Sequence, residues 1–483
     1  MNSLVWIQRE FRTTAFPALQ LALLSVEKSA GLVIVVYFHD PKQLVGEANS
    51  VWLAHSLQQL KIDFEKKGGQ LWIVDGDFSE NLTQVIEGYQ ISKLLYSFQV
   101  GSPFVQMQQQ ALEVCKKHKV ALQSFDSEFL VPAGELLNQQ NKPYLVFTPF
   151  YKALLAKPYL IEPLDDSVGD LSLTVKAKPT YQAWLDLPKD LQQLMALPWA
   201  QKIMQTHKVG EEQAWKKLQN FIDNALDSYS EDRDFPHLMA TSGLSAYLHF
   251  GQINPRVLFY YFHYLMDVGF VKSGQAMPWL RQLVWKDFAR HLLVYFPHTE
   301  AEPFQQKYQS MTWQDENQSY QAWQKGKTGI PIIDAGMREL WQTGIMHNRV
   351  RMLVASFLTK NLNQHWLIGK RWFDNALLDA DPANNVMGWQ WVAGCGVDAS
   401  PYYRLFNPVT QSLKFDADGC YLRKWLPELK SLSNKAIHAP WEHQQECQLK
   451  AIELGTDYPL PIVDLKHSRT LHLERVAKMK APG

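Results

Sequence analysis

The feature that most constrains this fold is a change of hydrophobic period partway along the chain. Up to about residue 130, apolar runs of strand length alternate with longer amphipathic stretches. LVWI (4–7), LVIVVYF (32–38), LWIV (71–74) and KLLYSF (93–98) read as buried strands. Between them, VWLAHSLQQLKIDFEKKGG (51–69) reads as a helix ending in glycines that suit a helix stop. This alternation predicts an α/β domain over residues 1–130, built on a parallel, Rossmann-like sheet. Neither GxGxxG nor GxxxxGK[ST] follows a strand, so no standard nucleotide fingerprint marks that sheet. Residues 131–209 are rich in proline, have no long amphipathic run, and read as an extended connector. From 210 to 483 the period is helical, predicting an all-α domain. Its clearest helices are GEEQAWKKLQNFIDNALDSY (210–229), VLFYYFHYLMDV (257–268), WLRQLVWKDFARHLLVYF (279–296), PIIDAGMRELWQTG (331–344) and MHNRVRMLVASFLTKNL (346–362).

Two or more domains also follow from length, since 483 residues exceed one ordinary core. The N-terminal MNSLVWIQREFR lacks the apolar core of a signal peptide, and GLVIVVYF (31–38) is too short to span a bilayer. A cytoplasmic, membrane-free monomer is expected. Cys115, Cys395, Cys420 and Cys447 are scattered without a CxxC, which predicts reduced thiols and no metal site. Formal net charge is zero, although residues 271–430 carry 18 Lys and Arg against 14 Asp and Glu. Tryptophan is abundant: 17 in all, with eleven beyond residue 270. Such rings serve either as aromatic core or as stacking surface for flat ligands.

Several stretches could carry chemistry. TSGLS (241–245) sets Thr241, Ser242 and Ser245 near a helix start, where backbone N–H groups and hydroxyls suit a phosphate or merely cap the helix. In LLDADPANNVMGWQW (377–391), Asp379 and Asp381 could accept from sugar hydroxyls or ring N–H groups. Asn385 could bond a heteroaromatic nitrogen, and the same residues also suit plain turns. Gln282, Trp285, Lys286 and Ala289 share one helical face. Asn348, Arg349 and Met352 are similarly spaced, and basic residues interleaved with aromatics suit a nucleic-acid strand with unstacked bases. Trp313, Trp366 and Trp389 are separated, and spacing alone does not bring them together.

Read together, these stretches resemble the photolyase/cryptochrome family of flavoproteins, most closely its microbial class I branch, which repairs cyclobutane pyrimidine dimers. The matching runs are SYSEDRDFPHLMATSGLSAYLHFGQINPR, GIPIIDAGMRELWQTGIMHNRVRMLVASFLTKNL and DADPANNVMGWQWVAGCGVDASPYYRLFNP, with KFDADGCYLRKWLPEL, DYPLPIV and VPAGELLNQQNKPYLVFTPFYKAL (131–154). The resemblance implies an α/β domain, a long connector and a helical domain binding FAD in a folded form. It implies that Tyr229 and Thr241, Ser242, Gly243, Leu244 and Ser245 hold the phosphate and ribityl portion. Trp279 would lie against the cofactor, Asp379 and Asp381 on its sugar and ring N–H groups, Asn385 at flavin N5 and Arg351 near the ring. Trp389, Trp366 and Trp313 would form an electron relay from flavin to solvent. Trp285, Trp391 and Met352 would line the lesion pocket, and Arg233, Lys286, Asn348, Arg349, Arg404 and Gln411 would contact DNA. The implied activity is light-driven repair, with an electron from photoexcited reduced FAD opening a flipped-out dimer.

Three positions depart from the family pattern. Gln282 stands where dimer-repairing class I enzymes usually place a glutamate, and where animal cryptochromes and (6-4) photolyases carry glutamine. The opening WIQREFRTTAFPAL loses an Asp-Asn pair to Ala15-Phe16, and LYSFQVGSPFVQMQQQ (95–110) lacks the usual partners of a folate antenna, so little or no folate is expected. Gly243 replaces a frequent arginine, removing one possible salt bridge. Three readings follow: a light-driven DNA-repair lyase on cyclobutane dimers or (6-4) products, a signalling cryptochrome without repair, and a flavin-free structural or DNA-binding module.

Overall fold

The computed structural model describes residues 2–27, 31–175, 184, 186–397 and 405–480. Contacts divide the chain into two compact units: Met1–Leu226 with Ser242–Pro297 and Leu378–Ala383, and Asp227–Thr241 with His298–Leu377 and Asn384–Gly483.

The first unit is built on five parallel strands: β1 (Ser3–Trp6), β2 (Val33–His39), β3 (Leu71–Asp75), β4 (Lys93–Ser97) and β5 (Ala121–Phe125), in the order β3-β2-β1-β4-β5. Every residue of β2 is buried, as expected of a parallel strand covered on both faces. β5 gave no signal in the sequence because it is polar and poorly buried, unlike β3 at the other edge of the sheet. ALQSF carries Gln123 and Ser124, and none of its residues is fully buried. The helix Glu47–Lys66 does stop at its glycines, with Gly68 at φ +79° directly after the cap residue Lys67.

Three stretches differ from the sequence reading. The connector is not extended throughout, since it contains the helices Phe147–Ala156, Lys189–Ala196 and Pro198–Met204. Pro149 and Pro198 sit in first turns, where a missing N–H breaks no intrahelical bond. The long helix of the first unit starts at Ser273, ahead of Pro278, rather than at Trp279. Residues 210–229 form one helix only to Asn224, and Tyr229 opens a separate turn, Tyr229–Asp232.

In the second unit the sequence periods map closely onto helices Pro331–Thr343 and Asn348–Ser356. The latter continues as a π-helical turn, Phe357–Asn361. Helices Trp366–Ala376 and Pro382–Ala393 follow. Cys115, Cys395 and Cys447 are buried as free thiols and Cys420 is exposed. Among the described residues no helix is long and apolar enough to cross a membrane.

Candidate cofactor and DNA-facing residues

In the first unit, Asp381 is the electrostatic centre. It is 6% exposed and accepts from Lys286 Nζ at 3.2 Å, while His249 Nδ1 lies 3.6 Å from the same oxygen. Burial alone would raise its pKa, but Lys286, His249 and Arg290 together hold it well below the ordinary carboxylate value. His249 is pushed down to about 4 by burial, so it is neutral at neutral pH. Lys286 is lowered by burial although Asp381 opposes the shift. Lys286, a candidate DNA contact from the sequence, thus pairs with Asp381 in this structure. Asp379, 8% exposed, precedes the same helix start at Pro382.

The TSGLS turn leads into a five-residue helix, Ser245–His249, whose cap residue is Leu244 and has no side-chain cap bond. Thr241 and Ser245 are exposed and Ser242 is half-buried, so the plain N-cap alternative is not what these hydroxyls do. Gly243 has φ +61°, and a Cβ there would run into the end of Lys217, whose Nζ would be 3.1 Å away. Lys217 comes from the helix Glu211–Asn224 and thus places a cation where the sequence lacks an arginine. Desolvation lowers its pKa and no carboxylate opposes the shift. Trp279 is 3% exposed and stacks on Phe262 at 4.5 Å.

Along the helix Ser273–Tyr295, Gln282, Trp285 and Lys286 are half-buried on one face, as spacing predicts, while Ala289 is buried. Gln282 Nε2 donates to the Pro278 carbonyl at 3.2 Å, a bond that an ionised glutamate could not make. Trp285 lies flat on Phe147, with ring centroids 3.4 Å apart and planes 7° from parallel. At the carboxyl end of β1, Gln99 Nε2 donates to Glu10 at 3.1 Å and Gln108 Nε2 to the Gln99 carbonyl at 2.9 Å. Gln99 and Gln108 of the antenna stretch are therefore turned into the protein, whereas Ser102, Gln106 and Gln109 are exposed.

In the second unit, Asn385 is buried and its Nδ2 donates to Asp374 Oδ1 at 2.6 Å and to the Lys370 carbonyl at 3.2 Å. Lys370 closes the group by pairing with Asp374 at 2.8 Å. Trp389 is 2% exposed and touches Phe373 at 5.0 Å and Trp323 at 6.3 Å. Trp366, also buried, has His365 at 5.8 Å, and His365 in turn has half-buried Trp313 at 5.1 Å. The imidazole of His365 thus lies between two of the three expected relay rings, a placement that spacing alone did not give. The helix Pro382–Ala393 sets Trp389 and half-buried Trp391 two residues apart, about 200° in rotation. Arg351 Nε donates to the Met346 carbonyl at 2.7 Å.

Two of the remaining DNA candidates of this unit, Arg349 and Arg233, meet at one carboxylate. Arg349 pairs with Asp234 at 2.5 Å and its guanidinium lies 4.4 Å above the Phe415 ring. Arg233 stands 4.0 Å from Asp234 and 5.5 Å above the ring of buried Tyr229. Asn348 is exposed beside Met352, and Gln411 is half-buried on the helix Pro408–Phe415 that carries Phe415. Arg404 lies outside the described residues.

The chain is similar to known proteins over nearly its whole length. Residues 3–167 match the DNA photolyase model and residues 279–478 the FAD binding domain of DNA photolyase. A deoxyribodipyrimidine photo-lyase of Agrobacterium fabrum is 37% identical, covering 99% of this chain and 98% of its own. Cryptochrome-1 of Arabidopsis thaliana is 30% identical over 99% of this chain and 70% of its own. The crystal structure of a bacterial class III photolyase from Agrobacterium tumefaciens superposes with a TM-score of 0.90 at 37% identity, covering 100% of this chain and 98% of its own. The class I branch expected from the sequence is not singled out by these relatives. What they share is the pairing of a parallel five-stranded sheet with a helical flavin domain, and the chain belongs to the DNA photolyase family, with the FAD-binding domain over residues 279–478.

Proposed function

We propose that the protein repairs cyclobutane pyrimidine dimers in DNA by light-driven electron transfer, using FAD. The observation that carries this reading is the flat, half-buried indole of Trp285 on the helix Ser273–Tyr295, a ring on which an unstacked base can lie. When bound, reduced FAD supplies an electron to the dimer on absorbing blue or near-UV light. The residues fit that group. Lys217 and the hydroxyls of Ser242 and Ser245 offer a cation and donors for phosphate oxygens. Asn385 has committed Nδ2 to Asp374 and Lys370, so Oδ1 is its remaining acceptor for a ring N–H. Asp381, held anionic, accepts from sugar or ring donors. Trp279 offers an apolar wall, and Thr241, Gly243, Leu244, Tyr229, Asp379 and Arg351 complete the proposed binding set. Trp389, Trp366 and Trp313 run from buried to half-buried, as a path for electrons from solvent requires. Arg233, Asn348, Arg349 and Gln411 take phosphates, while Trp391 and Met352 take the damaged bases.

The test is illumination of the flavin-loaded protein with oligonucleotides bearing either a cyclobutane dimer or a (6-4) product. Restoration of the dimer alone supports the reading, and light reduction of the flavin without repair of either lesion rejects it. Signalling without repair is the second reading, and Gln282 favours it. A glutamine donates a hydrogen bond to a pyrimidine carbonyl but supplies no acidic proton. Gln282→Glu is therefore expected to raise the quantum yield of dimer repair severalfold, measured by dimer restored per photon absorbed. An unchanged yield rejects that account of the position.

Lys217→Ala is expected to weaken FAD binding roughly 10- to 100-fold, the worth of one charge-assisted hydrogen bond. Flavin titration of the apoprotein reads this directly. Unaltered affinity means that Lys217 is a solvated surface lysine.

A further inference from the structure

The PYLVF stretch of the connector matched the family without acquiring a role. Its Phe147 opens the helix Phe147–Ala156 and is almost wholly buried. The ring lies face to face on Trp285 at 3.4 Å, and on its own helix Tyr151 stacks on it at 5.7 Å and 13°. Arg281 sets its guanidinium 5.2 Å from the Phe147 centroid and 5.3 Å from that of Tyr151. Phe288 abuts both Phe147 and Trp285 edge-on, at 5.7 and 6.0 Å. Two pairs spaced i,i+4, Phe147 with Tyr151 and Arg281 with Trp285, therefore interlock across two helices. One face of the indole is covered and its edge is blocked, yet Trp285 remains half-buried overall.

We infer that Phe147 is a positioning residue for lesion recognition: it holds the Trp285 ring in one orientation and leaves a single face on which a damaged base can stack. This rests on the repair reading given above. Stacking on an aromatic ring favours binding without regard to sequence, and the gain is greatest when the ring is already ordered. An unsupported indole must give up rotamer freedom on binding. Here that freedom is surrendered on folding, and the incoming base extends an existing column of rings. Arg281, lying against the column, places positive charge by the π faces. The competing view is that Phe147 is only core. The two differ in what happens when Trp285 is absent.

The experiment measures affinity for a dimer-bearing duplex and for the same undamaged duplex, with flavin content and melting temperature recorded alongside. Phe147→Leu keeps the apolar volume and removes the ring. It is expected to lower the preference for damaged DNA about 3- to 10-fold, the cost of ordering one large side chain. Affinity for undamaged DNA and flavin content are expected to hold. In a Trp285→Ala background the same change is expected to have no further effect on discrimination, because Phe147 acts through that ring. Full loss in that background, or unchanged discrimination in Phe147→Leu alone, overturns the inference. Should Phe147→Leu fail to fold, Tyr151→Leu at a half-buried position carries the same test with a smaller loss. A wild-type protein that binds both duplexes equally overturns the repair reading as well, whereas discrimination by wild type and by Phe147→Leu alike overturns only the inference.

Discussion

Asp381→Asn is expected to cost about 3–5 kcal/mol of stability, the usual penalty for leaving one member of a buried ion pair without its partner. The carboxylate and Lys286 are 7% and 14% exposed at their side chains, so neither charge is relieved by water. Asn is close in size, and the loss is therefore electrostatic rather than a cavity effect. With position 381 neutral, Lys286 loses the carboxylate it pairs with while Arg290 still repels it, and neutral His249 cannot replace that charge. Denaturant unfolding of the apoprotein measures the loss, and flavin stoichiometry after purification is expected to fall with it. Asp381→Glu keeps the charge and should recover part of the stability. Equal unfolding free energies for wild type and Asp381→Asn refute this account of the centre.

Gly369→Ala is the second large effect. In the helix Trp366–Ala376 an added Cβ would overlap Trp389 Cη2 and approach Leu358 Cδ2 to 2.6 Å. Overpacking of this kind costs about 1–3 kcal/mol or more, against about 1 kcal/mol gained from the better helix former. The indole should shift, with lower stability and slower flavin photoreduction. Gly388 is the control, because a Cβ there meets nothing within 4 Å. Ala at 388 is expected to stabilise the apoprotein by up to about 1 kcal/mol. Weaker FAD binding in that variant indicates that the space beside Gly388 is taken by the cofactor. If Gly369→Ala leaves both stability and photoreduction intact, Trp389 is less confined than its packing implies.

How far the fold could be read from the sequence depended on which interactions define each element. β1 to β4 announced themselves because both faces are buried and every residue is apolar or nearly so. β5, whose residues are polar or partly exposed, did not. The helices Pro331–Thr343 and Asn348–Ser356 carried both a clear period and clean ends, down to Gly344 at φ 68°. The connector helices were hidden by prolines that occupy first turns. At the site, residue types were legible and partners were not. Lys286 meets Asp381 across 95 residues of chain, Asn385 meets Asp374 through two helices, and Phe147 reaches Trp285 from the connector. Each pairing is set by how helices pack, and period alone does not encode that. Lys217 was missed because its helix looked like an ordinary amphipath with solvated lysines, and only the side-chain-free Gly243 opposite it reveals the place it takes.

Trp389 and Trp391 ride on one rigid helix, back to back. Any twist of Pro382–Ala393 about its axis carries both rings at once, so neither can be re-aimed by backbone adjustment without disturbing the other. Under the proposed roles, lesion contact on one side and charge delivery on the other can then be altered separately only by exchanging side chains. Insertion or deletion of a single residue between Pro382 and Trp389 would turn both indoles by about 100° and forfeit the two proposed roles together.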